Sequence, residues 1–390
     1  MSLKKKILFI TSAMIVGGVE RALISLLEAI DKGRYDVTLL ITKKGGPLEV
    51  EIPSGVRVIH LSPNIAEYDE HLLSQNRYWR WITNKAIRLG THYFRDHWRN
   101  TYLSLKTYPM FDEPFDCVIA YKADDAMVTC VADKFTAEKK LLWVHSRLPS
   151  DRVFHSTYQK IIRRFDGVIY VSHALQDYTS SLFPTYKGVQ VVIRNLVDAA
   201  GILEKADSGP VPEFPKDSVI LVTVGRLSEE KGQAMIPSAV RRLLDDGHDV
   251  YWYLVGDGPL AAEIHHQIEV NDVLGRVILL GTQQNPYPYM KNCDIYVQTS
   301  LSEGWCLTTQ EARLLCKPIV TTDLPVMHEQ FVHNENGLIT DGISVDALVR
   351  CIGSLLDDSS RRQALVETLC KQSAVNNENE LYLLYDLIDD

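Results

Sequence analysis

Residues 302–317 read SEGWCLTTQEARLLCK, with Glu303 and Glu311 eight positions apart at the start of a helical stretch. Upstream, GRLSEEKG sets Arg226 and Lys231 five apart, WVHSRLP carries His145, and SAMIVGGVE carries Gly17 and Gly18. Carboxylates accept hydrogen bonds from vicinal hydroxyls, and cations and free backbone N–H groups hold phosphate. Together these types suit a ligand with sugar hydroxyls at its ends and phosphates between. Spacing by itself decides nothing, because Glu20 and Glu28 repeat the same interval. The elements that position the groups must decide.

At 390 residues, 46% hydrophobic and 23% charged, the chain reads as globular and long enough for two domains. No apolar run approaches the ~18 residues of a spanning helix. Lys4–Lys6 followed by ILFITSAMIVGG imitates a secretory signal, but Glu20 and Arg21 follow directly and the pattern turns helical, so it reads as a buried first strand. Seven scattered cysteines without CxxC spacing suggest reduced thiols in a cytoplasmic protein. The net charge of −9 divides unevenly. Residues 1–197 carry 27 Lys/Arg against 20 Asp/Glu, and residues 198–390 carry 14 against 30. Halves of opposite sign suggest two domains with different partners.

Strand and helix patterns alternate through both halves. The first runs KKILFI, YDVTLLIT, VRVIHL, FDCVIAY, KKLLWVH, DGVIYVS and VQVVIRN; the second runs SVILVTVG, VYWYLVG, RVILLG, CDIYVQT and KPIVTT. Such alternation predicts an α/β protein of two doubly wound, Rossmann-like domains facing across a cleft. The boundaries fall at 1–197 and 198–376, with a last helix at 377–390 that could return to the first domain.

In open parallel sheets, ligands bind beyond the carboxyl ends of strands, and that rule selects the loops to inspect. Gly17-Gly18 follow the first strand and precede a helix, which suits a phosphate as well as a plain tight turn. No GxGxxG is present there, so a dinucleotide cofactor is disfavoured. Arg226 and Lys231 follow LVTVG and suit a diphosphate whose charge grows as it departs. Glu303 lies before its helix and Glu311 within it, roughly 12 Å apart over eight helical residues, with the free N–H groups of the first turn between them. His145 ends a strand of the first half and reads equally as a structural histidine.

GGVE, GRLSEEKG, LVGDGP and SEGWCLTTQEA, in that order, resemble the retaining glycosyltransferases of family 4, which have the GT-B fold. The resemblance covers nearly the whole chain. It implies that Glu303 binds donor-sugar hydroxyls and Glu311 the ribose. Arg226 and Lys231 would neutralise the leaving diphosphate, helped by amides around Cys306, Leu307 and Thr308. Gly17 and Gly18 would close over the phosphates, His145 would lie near the sugar, and Thr282 would fall near the base. No metal or other cofactor is implied. Trp305 and Cys306 depart from the usual Phe and small residue after Glu-Gly and would reshape the sugar pocket. The common NGVD appears as Asn195-Leu196-Val197-Asp198.

The implied partners are a nucleotide-sugar donor, UDP-linked by preference, and a lipid-linked or cell-surface glycan acceptor. Within the insert at 62–110, residues 71–106 hold seven Arg/Lys, one acid and seven aromatics. They read as a solvated face or as a contact with anionic lipid at the inner face of the plasma membrane. No nucleic-acid motif is present. Rival readings are a GT-B phosphorylase, a soluble sucrose- or glucan-type transferase, and a silent nucleotide-sugar-binding subunit.

Overall fold

The computed structural model describes residues 4–61, 111–149, 152–209, 212–372 and 377–390. The basic, aromatic segment 71–106 lies outside these residues. The chain divides into two compact units, residues 1–196 with 377–390, and residues 197–376.

In the first unit, strands β1 (Lys5–Thr11), β2 (Tyr35–Ile41), β3 (Arg57–His60), β4 (Phe111–Ala120), β5 (Phe135–Val144), β6 (Gly167–Tyr170) and β7 (Val189–Val192) form one sheet among the described residues. Its order is β3-β2-β1-β4-β5-β6-β7, and every pairing is parallel. Ile7, Leu8, Phe9 and Ile10 are wholly buried. A parallel sheet covered on both faces needs unbroken apolar strands of this kind. The helix Gly18–Ala29 returns from β1 to β2 and buries Leu23, Leu26 and Leu27.

The second unit holds β8 (Val219–Val224), β9 (Val250–Val255), β10 (Val277–Leu279), β11 (Ile295–Gln298), β12 (Ile319–Thr321) and β13 (Leu338–Ile339). Their order is β10-β9-β8-β11-β12-β13, again all parallel. β13 is absent from the sequence reading, because two residues leave no periodicity to see. The core joins Leu221, Trp252 and Leu254 of the strands to Val240, Leu348 and Ile352 of the helices.

The last helix, Glu378–Asp389, packs on the first unit. Tyr35 Oη donates to Asp389 at 2.9 Å, the Asp31 N–H donates to Tyr385 Oη at 2.9 Å, and the Tyr35 and Tyr385 rings lie 5.1 Å apart. The Arg194 N–H donates to Glu380 at 2.7 Å.

The expectation of seven reduced thiols is corrected. Cys316 and Cys370 form a disulfide between residues 54 apart in sequence. Helices Leu307–Leu314 and Ser359–Gln372 bring the two Cα atoms to 5.2 Å, within reach of a bridge. Helix Leu307–Leu314 ends before Cys316, which takes a left-handed φ of 55°. Among the described residues no helix is long and apolar enough to cross a membrane.

Candidate functional site

Each sheet reverses its winding once, between β1 and β4 in the first unit and between β8 and β11 in the second. Ligands of such sheets bind beyond the carboxyl ends of the strands at that point. The loops leaving these four strands hold most of the residues singled out by type and spacing.

In the second unit, Gly225–Gly232 follows β8 and Thr299–Cys306 follows β11. The two loops are stitched together. The Leu301 N–H donates to the Glu230 carbonyl at 2.8 Å, and Thr299 Oγ1 donates to the Lys231 carbonyl at 2.8 Å. Gly232 turns at φ +65°, and a Cβ there would stand 2.2 Å from the Thr299 carbonyl oxygen. Only glycine fits that turn without moving the loop.

The stitching places Lys231 Nζ 2.6 Å from Glu303 Oε1, with the carboxylate side chain only 8% exposed. Burial disfavours the ammonium, but the Glu303 carboxylate holds its pKa above the ordinary lysine value. Glu303 Oε1 also accepts from Ser300 Oγ at 2.6 Å and from Gln298 Nε2 at 3.4 Å. Arg226 is exposed; its carbonyl accepts from Gln233 Nε2 at 2.9 Å. Lys231 and Arg226 both act on the Glu230 carboxyl, which stays below its usual range despite partial burial because Ser228 and these cations favour its charge.

The helix Leu307–Leu314 begins at Cys306 with no side-chain cap, so its first N–H groups lack a side-chain acceptor. Trp305 and Cys306 are buried beneath this start. Burial, with the Glu303 carboxylate adding, pushes the Cys306 thiol up to about 11. It stays protonated at neutral pH and packs against Thr308 Oγ1 at 3.4 Å. Glu311 is buried one turn along the helix and accepts from Tyr287 Oη at 3.1 Å. Thr282 is exposed just after Gly281, whose carbonyl accepts the Gly256 N–H at 2.9 Å.

In the first unit, Gly17 and Gly18 open the helix after β1 with no side-chain cap. The Glu20 carboxylate lies against them, since a Cβ on Gly17 would meet Glu20 Oε2 at 2.6 Å. Glu20 is buried and accepts from Lys122 Nζ, beyond β4, at 3.1 Å. The dipole of this helix start therefore already faces a carboxylate.

His145, past the end of β5, is 6% exposed, with its ring 4.5 Å from that of Tyr121 and 5.8 Å from that of Trp143. Among the described residues no hydrogen bond of standard geometry reaches its nitrogens, Asn195 Oδ1 or Trp143 Nε1, although the Asn195 side chain and the Tyr121 backbone lie close enough to favour the charged ring. Burial first, and the Lys122 charge second, push the imidazole pKa down to about 3. His145 is thus a neutral ring able to donate from one nitrogen and accept at the other.

The sequence reading overlooked Gln298, Ser300, Tyr287, Glu20 as a partner of Lys122, and Lys122 itself. Their one signal was a polar residue inside or just past an apolar strand pattern, as in YVQTS. Among the described residues no group of three or more His, Cys, Asp or Glu side chains converges as a metal site.

A family model described as Glycosyl transferases group 1 matches residues 205–371, and one described as Glycosyltransferase Family 4 matches residues 16–200. An uncharacterized glycosyltransferase, MJ1059 of Methanocaldococcus jannaschii, is 26% identical over 196 residues, 47% of this chain and 48% of that protein. A diphospho-undecaprenol 4-alpha-N-acetylgalactosaminyltransferase of Campylobacter jejuni is 26% identical over 174 residues, 44% of this chain and 46% of its own. The lipopolysaccharide core glycosyltransferase LpsE of Rhizobium meliloti is 29% identical over 155 residues, 40% and 44% of the two chains. The chain thus spans about half the length of the curated relatives it matches.

Among solved structures, Anabaena Alr3699/HepE in complex with UDP and glucose aligns with a TM-score of 0.72 at 19% identity, covering 99% of this chain and 100% of that one. A TarM variant of S. aureus in complex with UDP aligns at 0.71 and 12% identity, with coverage of 99% and 100%. These likenesses concern the fold.

Proposed function

The chain belongs to the GT-B glycosyltransferases of group 1 and family 4, and we propose that it transfers a sugar from a nucleoside-diphosphate sugar, UDP-linked, to a lipid-linked or cell-surface glycan with retention at the anomeric carbon. The observation that carries this reading is the Lys231–Glu303 contact at the switch point of the second sheet, with exposed Arg226 and an uncapped helix start in the adjoining loops.

In this reading the anomeric C–O bond to the diphosphate breaks and the electron pair leaves with the phosphate. Lys231 and Arg226 meet the charge that grows there, aided by the N–H groups of Leu307 and Thr308. They do so without recruiting a metal, and activity is expected to survive EDTA. Glu303 accepts from hydroxyls of the donor sugar, and Glu311, already held by Tyr287, accepts from the ribose. Thr282 borders the base, and Trp305 and Cys306 shape the sugar pocket. The acceptor oxygen bonds to the anomeric carbon, and its proton passes to an oxygen of the departing diphosphate.

His145 contributes hydrogen bonds near the sugar and takes up no second proton at neutral pH. Gly17 and Gly18 approach the phosphates, where the repulsion of Glu20 is offset by Lys122. A polysaccharide or lipid-linked acceptor is supported by the relatives, whose names place them in O-antigen, lipopolysaccharide and diphospho-undecaprenol glycan synthesis. UDP is supported by its presence in the HepE and TarM complexes.

A thermal-shift panel of UDP and GDP sugars, followed by NMR of the product's anomeric configuration, tests the proposal. Stabilisation by a UDP sugar and a retained anomer are expected. An inverted product, or no response to any nucleotide sugar, overturns it.

A further inference from the structure

Glu303 presents its two oxygens unequally. Oε1 accepts from Lys231 Nζ at 2.6 Å, from Ser300 Oγ at 2.6 Å and from Gln298 Nε2 at 3.4 Å. Among the described residues Oε2 accepts from nothing, although the side chain is only 8% exposed. With Oε1 fully engaged, Oε2 is the oxygen left open to water or to a ligand hydroxyl.

Gln298 is the element of this arrangement that spans the site. It is 1% exposed at the end of β11. Its amide nitrogen donates to Ser300 Oγ at 2.7 Å as well as to Glu303. Its carbonyl oxygen accepts from Tyr296 Oη at 2.9 Å and from Thr308 Oγ1, in the first turn of the helix, at 3.2 Å. Turned over, the amide would set its carbonyl oxygen against the carboxylate, so the charge on Glu303 fixes which way it faces. Ser300 gives its single proton to Glu303 and can therefore accept from Gln298.

The structure assigns Gln298 as the positioning residue of Glu303: by holding Oε1 in a closed network tied to the first turn of helix Leu307–Leu314, it leaves Oε2 as the one oxygen offered to a hydroxyl of the donor sugar. The assignment rests on the reading that Glu303 meets the sugar. Gln298 is a residue of this chain outside all the motifs that carried the family resemblance. It touches neither the diphosphate nor the sugar, and acts through Glu303.

Titration calorimetry with sugar-free UDP and with the nucleotide sugar giving the largest thermal shift (among UDP-glucose, UDP-galactose, UDP-N-acetylglucosamine, UDP-N-acetylgalactosamine and GDP-mannose; the matching free diphosphate replaces UDP if GDP-mannose leads) separates the possibilities. Gln298→Leu keeps the volume and removes the donor, and should weaken nucleotide-sugar binding about tenfold, the size of one hydrogen bond to a charged group. Sugar-free nucleotide should bind as to the unmodified protein. Ser300→Ala, a smaller change at the next link, should show the same selectivity, so a folding defect in one variant leaves the other to decide. The double variant Gln298→Leu/Glu303→Ala should bind nucleotide sugar no more weakly than Glu303→Ala alone, because residues acting through one another are not additive. Additive losses, equal losses for both ligands, or unchanged binding in Gln298→Leu and Ser300→Ala while Glu303→Ala is impaired would each overturn the positioning role alone. Unchanged nucleotide-sugar binding in Glu303→Ala would overturn the sugar reading of Glu303 and the positioning role with it.

Discussion

The carboxyl ends of the two sheets solve the burial of polar groups in opposite ways. In the second unit a lysine, a glutamate, a serine and a glutamine close a hydrogen-bonded network, and the charge beside it, Arg226, is left in water. In the first unit the charged pair Glu20–Lys122 neutralises itself, while His145, Asn195 and Trp143 keep buried polar atoms unpaired among the described residues. A closed charged network is organised in advance for an anionic, departing group, because its dipoles need not reorganise when charge develops. Neutral groups with spare donors and acceptors suit hydroxyls, which bind weakly but selectively when they complete such groups. The difference implies that losing a group in the second unit harms chemistry, whereas losing one in the first harms stability and recognition.

The largest expected effect lies in the second unit. Lys231→Ala removes the cation against Glu303 and should lower turnover by roughly 10²-fold or more, with Arg226→Ala in the same direction, as for a lost transition-state charge contact. Glucosyl or other sugar transfer measured under saturating donor is the check. Turnover near normal in both variants would mean that the charged network is structural, and the contrast between the units would collapse.

Breaking the first unit's pair should show mainly as lost stability. Removing one partner of a wholly buried pair costs about 3–5 kcal/mol because the other charge is stranded. Lys122→Met leaves the Glu20 carboxylate, only 3% exposed, without its cation and should cost about 3 kcal/mol. Urea unfolding followed by the fluorescence of Trp143, buried on β5 of that unit, reads this. A Lys122→Met protein as stable as the original, yet unable to bind donor, would move Lys122 from the fold to the site.

The two sites were unequally legible from the chain. The strands announced themselves because a parallel sheet buried on both faces writes unbroken apolar runs such as KKILFI and SVILVTVG. Two-residue β13 writes none. The loops carrying Arg226, Lys231 and Glu303 were legible through glycines and charges placed just past strand ends, since the ends of parallel strands are where such residues have a reason to be. The partners of those residues were not. Gln298 reads as strand interior in YVQTS, and nothing in a polar letter says whether its amide will meet water or Glu303. Glu20 and Lys122 lie 102 residues apart, and Cys316 and Cys370 lie 54 apart, so only the packed units bring them together. Local spacing records what a turn or helix places side by side; it is silent on contacts made by topology.

The smallest effect, and the one that most sharpens the contrast, concerns proton uptake at His145. Its pKa is pushed down to about 3 in the folded protein, by burial first and by the charge of Lys122 second, against about 6.5 for an unfolded histidine. Between those values the unfolded chain binds a proton that the folded one refuses, so acid favours unfolding through this residue. Its contribution is whole above pH 6.5 and is lost progressively as pH falls toward 3. From pH 6.5 to 5.5 the loss is about 1 kcal/mol, since the unfolded histidine is already half protonated at pH 6.5. His145→Gln keeps a neutral donor and acceptor and removes the titration. The difference in unfolding free energy between the two proteins should therefore change with pH over this interval and stay flat from pH 7.5 to 8.5, while carboxylates elsewhere cancel in the subtraction. Sugar transfer by the unmodified protein should show no histidine-like inflection near pH 6.5 traceable to His145, since the ring is neutral throughout. A subtraction that stays flat below pH 6.5, or an inflection that vanishes in His145→Gln, would show a ring that exchanges protons freely, and would make His145 a candidate for acid–base chemistry after all.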